Sequence, residues 1–165
     1  MAGYAKGILI AVLASLAIMI LVNFAFFFPW YITVIETAFE VAQVVSNENY
    51  LPYDTYYDIY DGLRDKPIFR DKAEDISIEV THLGENRSAN EARYSSGDMG
   101  ADWYYERSSK PYVQRGNTVQ VTVKATYPFK IQFAGREITA SDLPIVFSIK
   151  TTTLKHYKDL DYYVD

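Results

Sequence analysis

The chain has no cysteine and only two histidines, His82 and His156, which lie far apart in sequence. The lack of cysteine excludes disulfide bonds, thiolate metal sites and covalent haem attachment, so the fold is held by packing and hydrogen bonds. The motifs G-x-S-x-G, H-E-x-x-H and G-x-x-x-x-G-K-[ST] are also missing. We therefore predict a protein that is not an enzyme and has no catalytic, cofactor-binding or metal site.

Basic side chains are outnumbered, since 16 Lys and Arg face 21 Asp and Glu and give a net charge of -5 at pH 7. No basic stripe is present to neutralise phosphates, which argues against a nucleic-acid partner. Tyrosine is abundant instead, with 15 copies concentrated near residues 50–60, 103–105 and 162–163. Because tyrosine offers a large contact area with a polar tip, we expect a surface that contacts proteins.

The longest apolar run covers residues 7–28 and is interrupted only by Ser15 and Asn23. As a helix it would be about 33 Å long, which matches the ~30 Å hydrocarbon core of a bilayer. A cleavable secretory signal would have a shorter apolar core and small residues at its cut. We predict a membrane-spanning helix. Lys6 precedes the run and acidic residues follow it, which predicts a cytoplasmic N-terminus.

Small residues recur at intervals of four near the start of this run, and aromatic residues cluster at its end. A flat stripe of this kind allows another helix to approach closely. We expect the stripe to mediate helix–helix assembly, with the phenylalanines filling the gaps around it; an ordinary lone anchor is the alternative. The predicted assembly residues are Gly3, Gly7, Ala11, Ala14, Ser15, Phe24, Phe26, Phe27 and Phe28.

Pro29 removes one helical hydrogen bond and predicts a kink. Beyond it the helical period resumes to about residue 46, so residues 1–46 are predicted to form one helix with an amphipathic second half. The face predicted to pack on an outer domain is formed by apolar residues at helical spacing: Ile32, Ile35, Phe39, Ala42 and Val45.

The rest of the chain, residues 47–165, is predicted to be one outer α+β domain. A tyrosine-rich helix is expected over about 52–64, with its aspartates on a solvated face rather than at a calcium site. From residue 75 the period of apolar residues changes to two, which predicts antiparallel strands at about 75–83, 117–127, 129–134 and 144–154. The fold class is therefore a long apolar helix packed on an antiparallel sheet.

The polar segment 84–116 connects two of these strands. It contains an aromatic island at 103–105 and the sequence Asn86-Arg87-Ser88, which fits the acceptor pattern for N-glycosylation. A connection of this length is typical of a functional or mobile loop. One alternative function is therefore a membrane-tethered domain that binds a ligand through this loop.

The order of elements resembles the type IV pilin superfamily, in which an apolar N-terminal helix continues into an amphipathic half that packs on an antiparallel sheet. The residues that carry the resemblance are the apolar run 7–28, the break at Pro29, the amphipathic segment 32–45 and the strands around 119–127 and 145–151. Segment 36–45, the tyrosine-rich helix and the sequence I-S-I-E-V at 76–80 are similar to the pseudopilins of tight-adherence and conjugation-related systems.

The resemblance implies a structural subunit of an extracellular pilus-like filament that polymerises with copies of itself through its apolar helix. It also implies that the subunit sits in the cell membrane before assembly and is handled by pilus assembly machinery. A single-pass pseudopilin or assembly factor of a pilus, secretion or conjugation system is a further alternative.

Overall fold

A computed structural model of the protein describes residues 2–93, 111–133 and 136–156. For residue 2 and for 131–133 and 136–140 it describes the backbone only. Its dominant element is helix α1, Ala2–Glu48. With 47 residues, α1 is about 70 Å long. The helix is continuous across Pro29, and the kink expected there stays a prediction.

In the described part of the chain, α1 is followed by one further α-helix, two 3₁₀ segments and four strands. Helix α2 spans Tyr53–Arg64 and a 3₁₀ segment covers Arg70–Asp75. The strands are β1 (Ser77–His82), β2 (Arg87–Ser88), β3 (Thr118–Phe133) and β4 (Arg136–Thr152), with a short 3₁₀ turn at Glu91–Arg93 between β2 and β3. All pairings in the sheet are antiparallel, and the strand order is β2-β1-β3-β4.

The second half of α1 packs on this sheet, which confirms the predicted fold class. Val119, Val121 and Val123 of β3 alternate toward the helix and are fully buried. They face a stripe of α1 that is also fully buried: Trp30, Val34, Ala38, Val41 and Val45. Strand β3 runs antiparallel to α1. The start of β3 lies near the end of the helix, because Thr152, which pairs with Thr118, accepts a hydrogen bond from Ser46. Further along β3, Lys130 is bonded to Asn23 in the first half of α1.

The face of α1 predicted to pack on the outer domain was partly wrong. Ala42 and Val45 are buried, whereas Ile32 and Phe39 are about half exposed to solvent. The sheet packs instead on a neighbouring stripe of α1 that starts at Trp30. After Trp30 that stripe consists of valine and alanine, and these small side chains let the valines of β3 approach closely. The bulky Phe39 lies outside it.

The break predicted between the strands 117–127 and 129–134 is also wrong, because β3 continues through Pro128 and pairs with β4 as far as Phe133. Strand β1 pairs with β3 only up to Lys124, so the later part of β3 has one neighbour. The N–H of Lys130 points away from β4, toward Asn23. Pro128 has the same orientation two residues earlier, so its missing N–H removes no ladder hydrogen bond. The predicted strands 117–127 and 129–134 are therefore a single strand.

The predicted aromatic island at 103–105 lies outside the described residues. The tyrosines at 162–163 lie outside them as well.

Candidate assembly surface

The first half of α1 makes almost no contact with the rest of the fold. Its side chains from Gly3 to Val22 are exposed or partly exposed, and its most apolar window has a mean hydropathy of 2.7 with no buried residue. By length and composition this helix could cross a membrane. One large apolar surface is therefore left without a partner.

Within that surface, exposed or half-exposed residues recur at spacings of three and four along one side of α1. This spacing matches the seam along which two helices interlock side chains. We call this set the helix seam. It consists of Gly3, Gly7, Ile10, Ala14, Ala17, Leu21, Phe24, Phe28, Ile32, Ile35 and Phe39.

The predicted assembly residues divide between the helix seam and other positions. Gly3, Gly7, Ala14, Phe24 and Phe28 lie on it. A step of four residues advances about 40° beyond a full turn, so a strict four-residue stripe rotates away from any straight contact line. Two predicted residues, Ala11 and Ser15, leave the seam for this reason.

The structure also explains why Ser15, Phe26 and Phe27 are not part of the helix seam. The hydroxyl of Ser15 donates to the carbonyl oxygen of Ala11 at 2.9 Å, so it needs no partner from another helix. Phe26 is exposed, but on a different side of α1 from the seam. Phe27 packs into its own domain, with its ring centroid 5.2 Å from that of Tyr127.

The two glycines of the seam are not required by the fold of a single chain. A Cβ atom added at Gly3 or Gly7 would meet nothing within 4 Å outside the local helix. Glycine in a helix interior is about 1 kcal/mol less favourable than alanine. Among the described residues, no packing contact at Gly3 or Gly7 offsets this cost.

The helix seam continues past the membrane-length segment and runs along the outer domain. There it includes Ile32, 51% exposed, and Phe39, 53% exposed. The ring of Phe39 lies 6.3 Å from that of Phe147 on β4. Next to it, an open groove of 680 Å³ separates α1 from β4 and is lined by Glu36, Glu40, Lys150 and neighbouring residues.

Asn23 is a contact residue that the sequence did not identify. Its side-chain amide donates to the carbonyl oxygen of Lys130 at 2.9 Å, and its amide oxygen accepts from the Lys130 N–H at 3.4 Å. The hydroxyl of Tyr127 donates to the Asn23 carbonyl oxygen at 3.0 Å. A polar residue inside an apolar run was the available signal, because such a group must find a partner away from water.

The polar positions of note outside α1 are His82 and Asn86. Across the described ranges, no group of three or more His, Asp or Glu side chains is placed to hold a metal ion. His82 is 1% exposed and its Nε2 lies 2.6 Å from the carbonyl oxygen of Pro111. Burial lowers the pKa of His82. Asn86 is exposed in a turn with φ of 50°, so its glycosylation pattern is accessible.

Comparison with protein-family models, with curated proteins and with solved structures gave no match. The function of the chain therefore has to be argued from its own geometry.

Proposed function

We propose that the protein is a structural subunit of an extracellular pilus-like filament and polymerises with copies of itself through the helix seam. Before assembly the subunit spans the cell membrane with its N-terminus in the cytoplasm. Assembly machinery of the pilus type extracts it into the filament. The outer domain, which carries no catalytic role in this proposal, faces outward.

The observation that carries this proposal is the length of the helix seam. A bilayer needs about 20 apolar residues, which α1 supplies between Gly7 and about Phe26. Ile32 and Phe39 lie roughly 9 and 20 Å further along the helix, outside the hydrocarbon core. Burying a side chain of this size contributes about 1.5–3 kcal/mol. A partner that covers both halves of the seam must itself be a long apolar helix, and a second copy of α1 meets that requirement.

The distribution of side-chain size along the seam favours a filament over a closed dimer. Its first half contains glycine and alanine, whereas its second half contains the large side chains of Phe24, Phe28 and Phe39. Small residues of one copy complement large residues of another when the copies are offset along the helix axis. An offset contact joins two different surfaces, so it repeats without closing and generates a helical polymer.

The proposal is tested on material sheared from the surface of cells that express the chain. We expect thin filaments by electron microscopy, and mass spectrometry should identify this chain as their main component. Phe39→Gln should abolish the filaments, because it places a polar amide in the seam. Glu40→Gln is the matched control, since Glu40 is exposed one position away and outside the seam.

Two results would contradict the proposal. One is recovery of the chain solely from detergent-extracted membranes, which would support the pseudopilin or assembly-factor alternative. The other is equal filament yield from the Phe39→Gln and Glu40→Gln variants, which would remove the seam from the mechanism.

A further inference from the structure

The outer domain extends along α1 toward the N-terminus as far as Asn23. The hydrogen bonds between Asn23 and residues Tyr127 and Lys130 of β3 fix this position. Strands β3 and β4 remain paired past it, to Phe133 and Arg136. The end of the β3–β4 hairpin therefore lies beside the helix segment that is long and apolar enough to span a membrane.

The free part of α1 is too short to hold this hairpin clear of a bilayer. Residues 7–22 separate Lys6 from Asn23, a rise of about 24 Å against the ~30 Å hydrocarbon core. With the Lys6 ammonium at one membrane surface, Asn23 lies at or slightly below the other. Helix tilt shortens the reach further. Asn23 lies at the same depth for either direction of insertion.

The surface around Asn23 has the chemistry that this position requires. Phe24 is 49% exposed and Leu143, on β4, is 39% exposed. Between them lies a cleft of 90 Å³, lined by aromatic and aliphatic side chains and by Asn23: Asn23, Phe24, Phe27, Tyr127, Phe129 and Leu143. Because the amide of Asn23 is already bonded to Lys130, the cleft offers water little to bind.

We propose that the β3–β4 hairpin rests in the membrane interface, with lipid acyl chains covering Phe24 and Leu143 and filling the 90 Å³ cleft. Lipid is favoured over a protein partner because this surface is continuous with the exposed apolar helix below it. The Asn23 hydrogen bonds remove the cost of an unpaired amide at this depth. The inference rests on the membrane-inserted state in the proposed function.

Because the chain has no cysteine, each engineered cysteine is the sole labelling site. Nitroxide labels are placed at Leu143→Cys, Lys150→Cys and Leu13→Cys in the full chain, reconstituted in phosphatidylcholine vesicles. Lys150 is the matched control, since it lies on the same strand about 23 Å from Leu143. Oxygen partitions into lipid and a nickel chelate stays in water, so their relative access reports depth.

We expect the oxygen-to-nickel access ratio at Leu143 to be roughly threefold or more above that at Lys150, and to approach the ratio at Leu13, because apolar solutes concentrate in hydrocarbon. Ser141→Cys, at an exposed position two residues away, should give the same ranking. Agreement of the two sites excludes a local unfolding effect of the Leu143 substitution.

A water-like ratio at Leu143 and Ser141 with a lipid-like ratio at Leu13 would overturn the inference and leave the filament proposal standing. A water-like ratio at Leu13 would overturn both, since α1 would not be inserted. Shielding of Leu143 from both reagents would mean that protein covers the cleft, which would overturn the assignment to lipid.

Discussion

Asn49 directly follows the last residue of α1 and connects two segments of the outer domain. Its φ of 67° places it in the left-handed region that asparagine tolerates better than most residues. Its side-chain amide donates to the carbonyl oxygens of Val113 at 2.8 Å and Lys155 at 2.7 Å, and its amide oxygen accepts from the Lys155 N–H at 3.0 Å. The sequence predicted that the helix ends at about residue 46, whereas α1 ends at Glu48, next to the bonded Asn49.

Replacing Asn49 with alanine should therefore be strongly destabilising. The variant loses one buried and two partly buried hydrogen bonds and adds left-handed strain, which together should cost about 2–4 kcal/mol of unfolding free energy. The measurement is chemical denaturation of the full chain in detergent, followed by near-ultraviolet circular dichroism. Asn47→Ala is the matched control, because Asn47 is exposed. Equal midpoints for the two variants would contradict this assignment.

His82 should make stability depend on pH. Burial lowers its pKa, partly opposed by the hydrogen bond to Pro111; nearby Arg87 lowers the pKa further and Glu85 raises it. Its Nδ1 is buried without a partner in the described part of the chain, so protonation would leave an unsatisfied donor. The unfolded chain takes up a proton near the ordinary value of 6.5, whereas the folded chain does so only at lower pH.

The free energy of unfolding should accordingly be constant above neutral pH and decrease as the pH falls below about 6.5 toward the lowered folded-state pKa. Denaturation series between pH 5 and 8 measure this dependence. His82→Gln has no imidazole to protonate, so its series should lack the component that titrates below 6.5. Parallel curves for the two proteins would show that His82 does not contribute.

Among the elements, sequence periodicity predicted the segments that form α1, α2, β1 and β3, but β4 begins at Arg136, well before its predicted start near residue 144. Its errors arose where tertiary context overrides a local signal. Pro128 indicated a strand end, but it lies where β3 has a free edge, which one chain segment alone does not reveal. The inward face of α1 was misassigned because both Trp30 and Ile32 begin apolar stripes. Which stripe is buried depends on the sheet packed against it.

The contact between α1 and β3 at Asn23 should be measurable as an element-level stability term. Asn23→Ala removes the two side-chain hydrogen bonds to Lys130 and should lower the unfolding free energy by about 1–2 kcal/mol. Amide exchange at Lys130 should increase at the same time. Ser15→Ala is the control, since its hydroxyl bonds only within α1. Unchanged exchange at Lys130 would contradict the contact.

At the scale of the whole molecule, the sequence predicted a small-residue stripe but not the full helix seam. Gly3 and Gly7 were visible in sequence because glycine is costly inside a helix. The outer part of the seam could be identified only from the structure. Ile32 and Phe39 are surface residues because the sheet covers a different stripe of α1. The structure therefore adds an exposed apolar contact line that runs along both halves of the molecule.

The last prediction separates the stability of one chain from assembly. Gly7→Leu should leave the outer domain as stable as before and should not weaken α1, because a Cβ added at Gly7 meets no described residue within 4 Å outside the local helix and leucine is the better helix former. In a filament the same side chain would fill the close approach between helices, so we expect filament yield to fall sharply while membrane insertion persists.

Gly62→Leu is the matched control, since Gly62 is also helical, exposed and without a neighbour within 4 Å of an added Cβ, but lies on α2 away from the helix seam. Filament yield from sheared cells and the thermal midpoint of the purified chain are measured for both variants. Normal filaments from Gly7→Leu would mean that the glycines of the seam face no neighbour. Loss of filaments from both variants would instead indicate an effect of leucine unrelated to the seam.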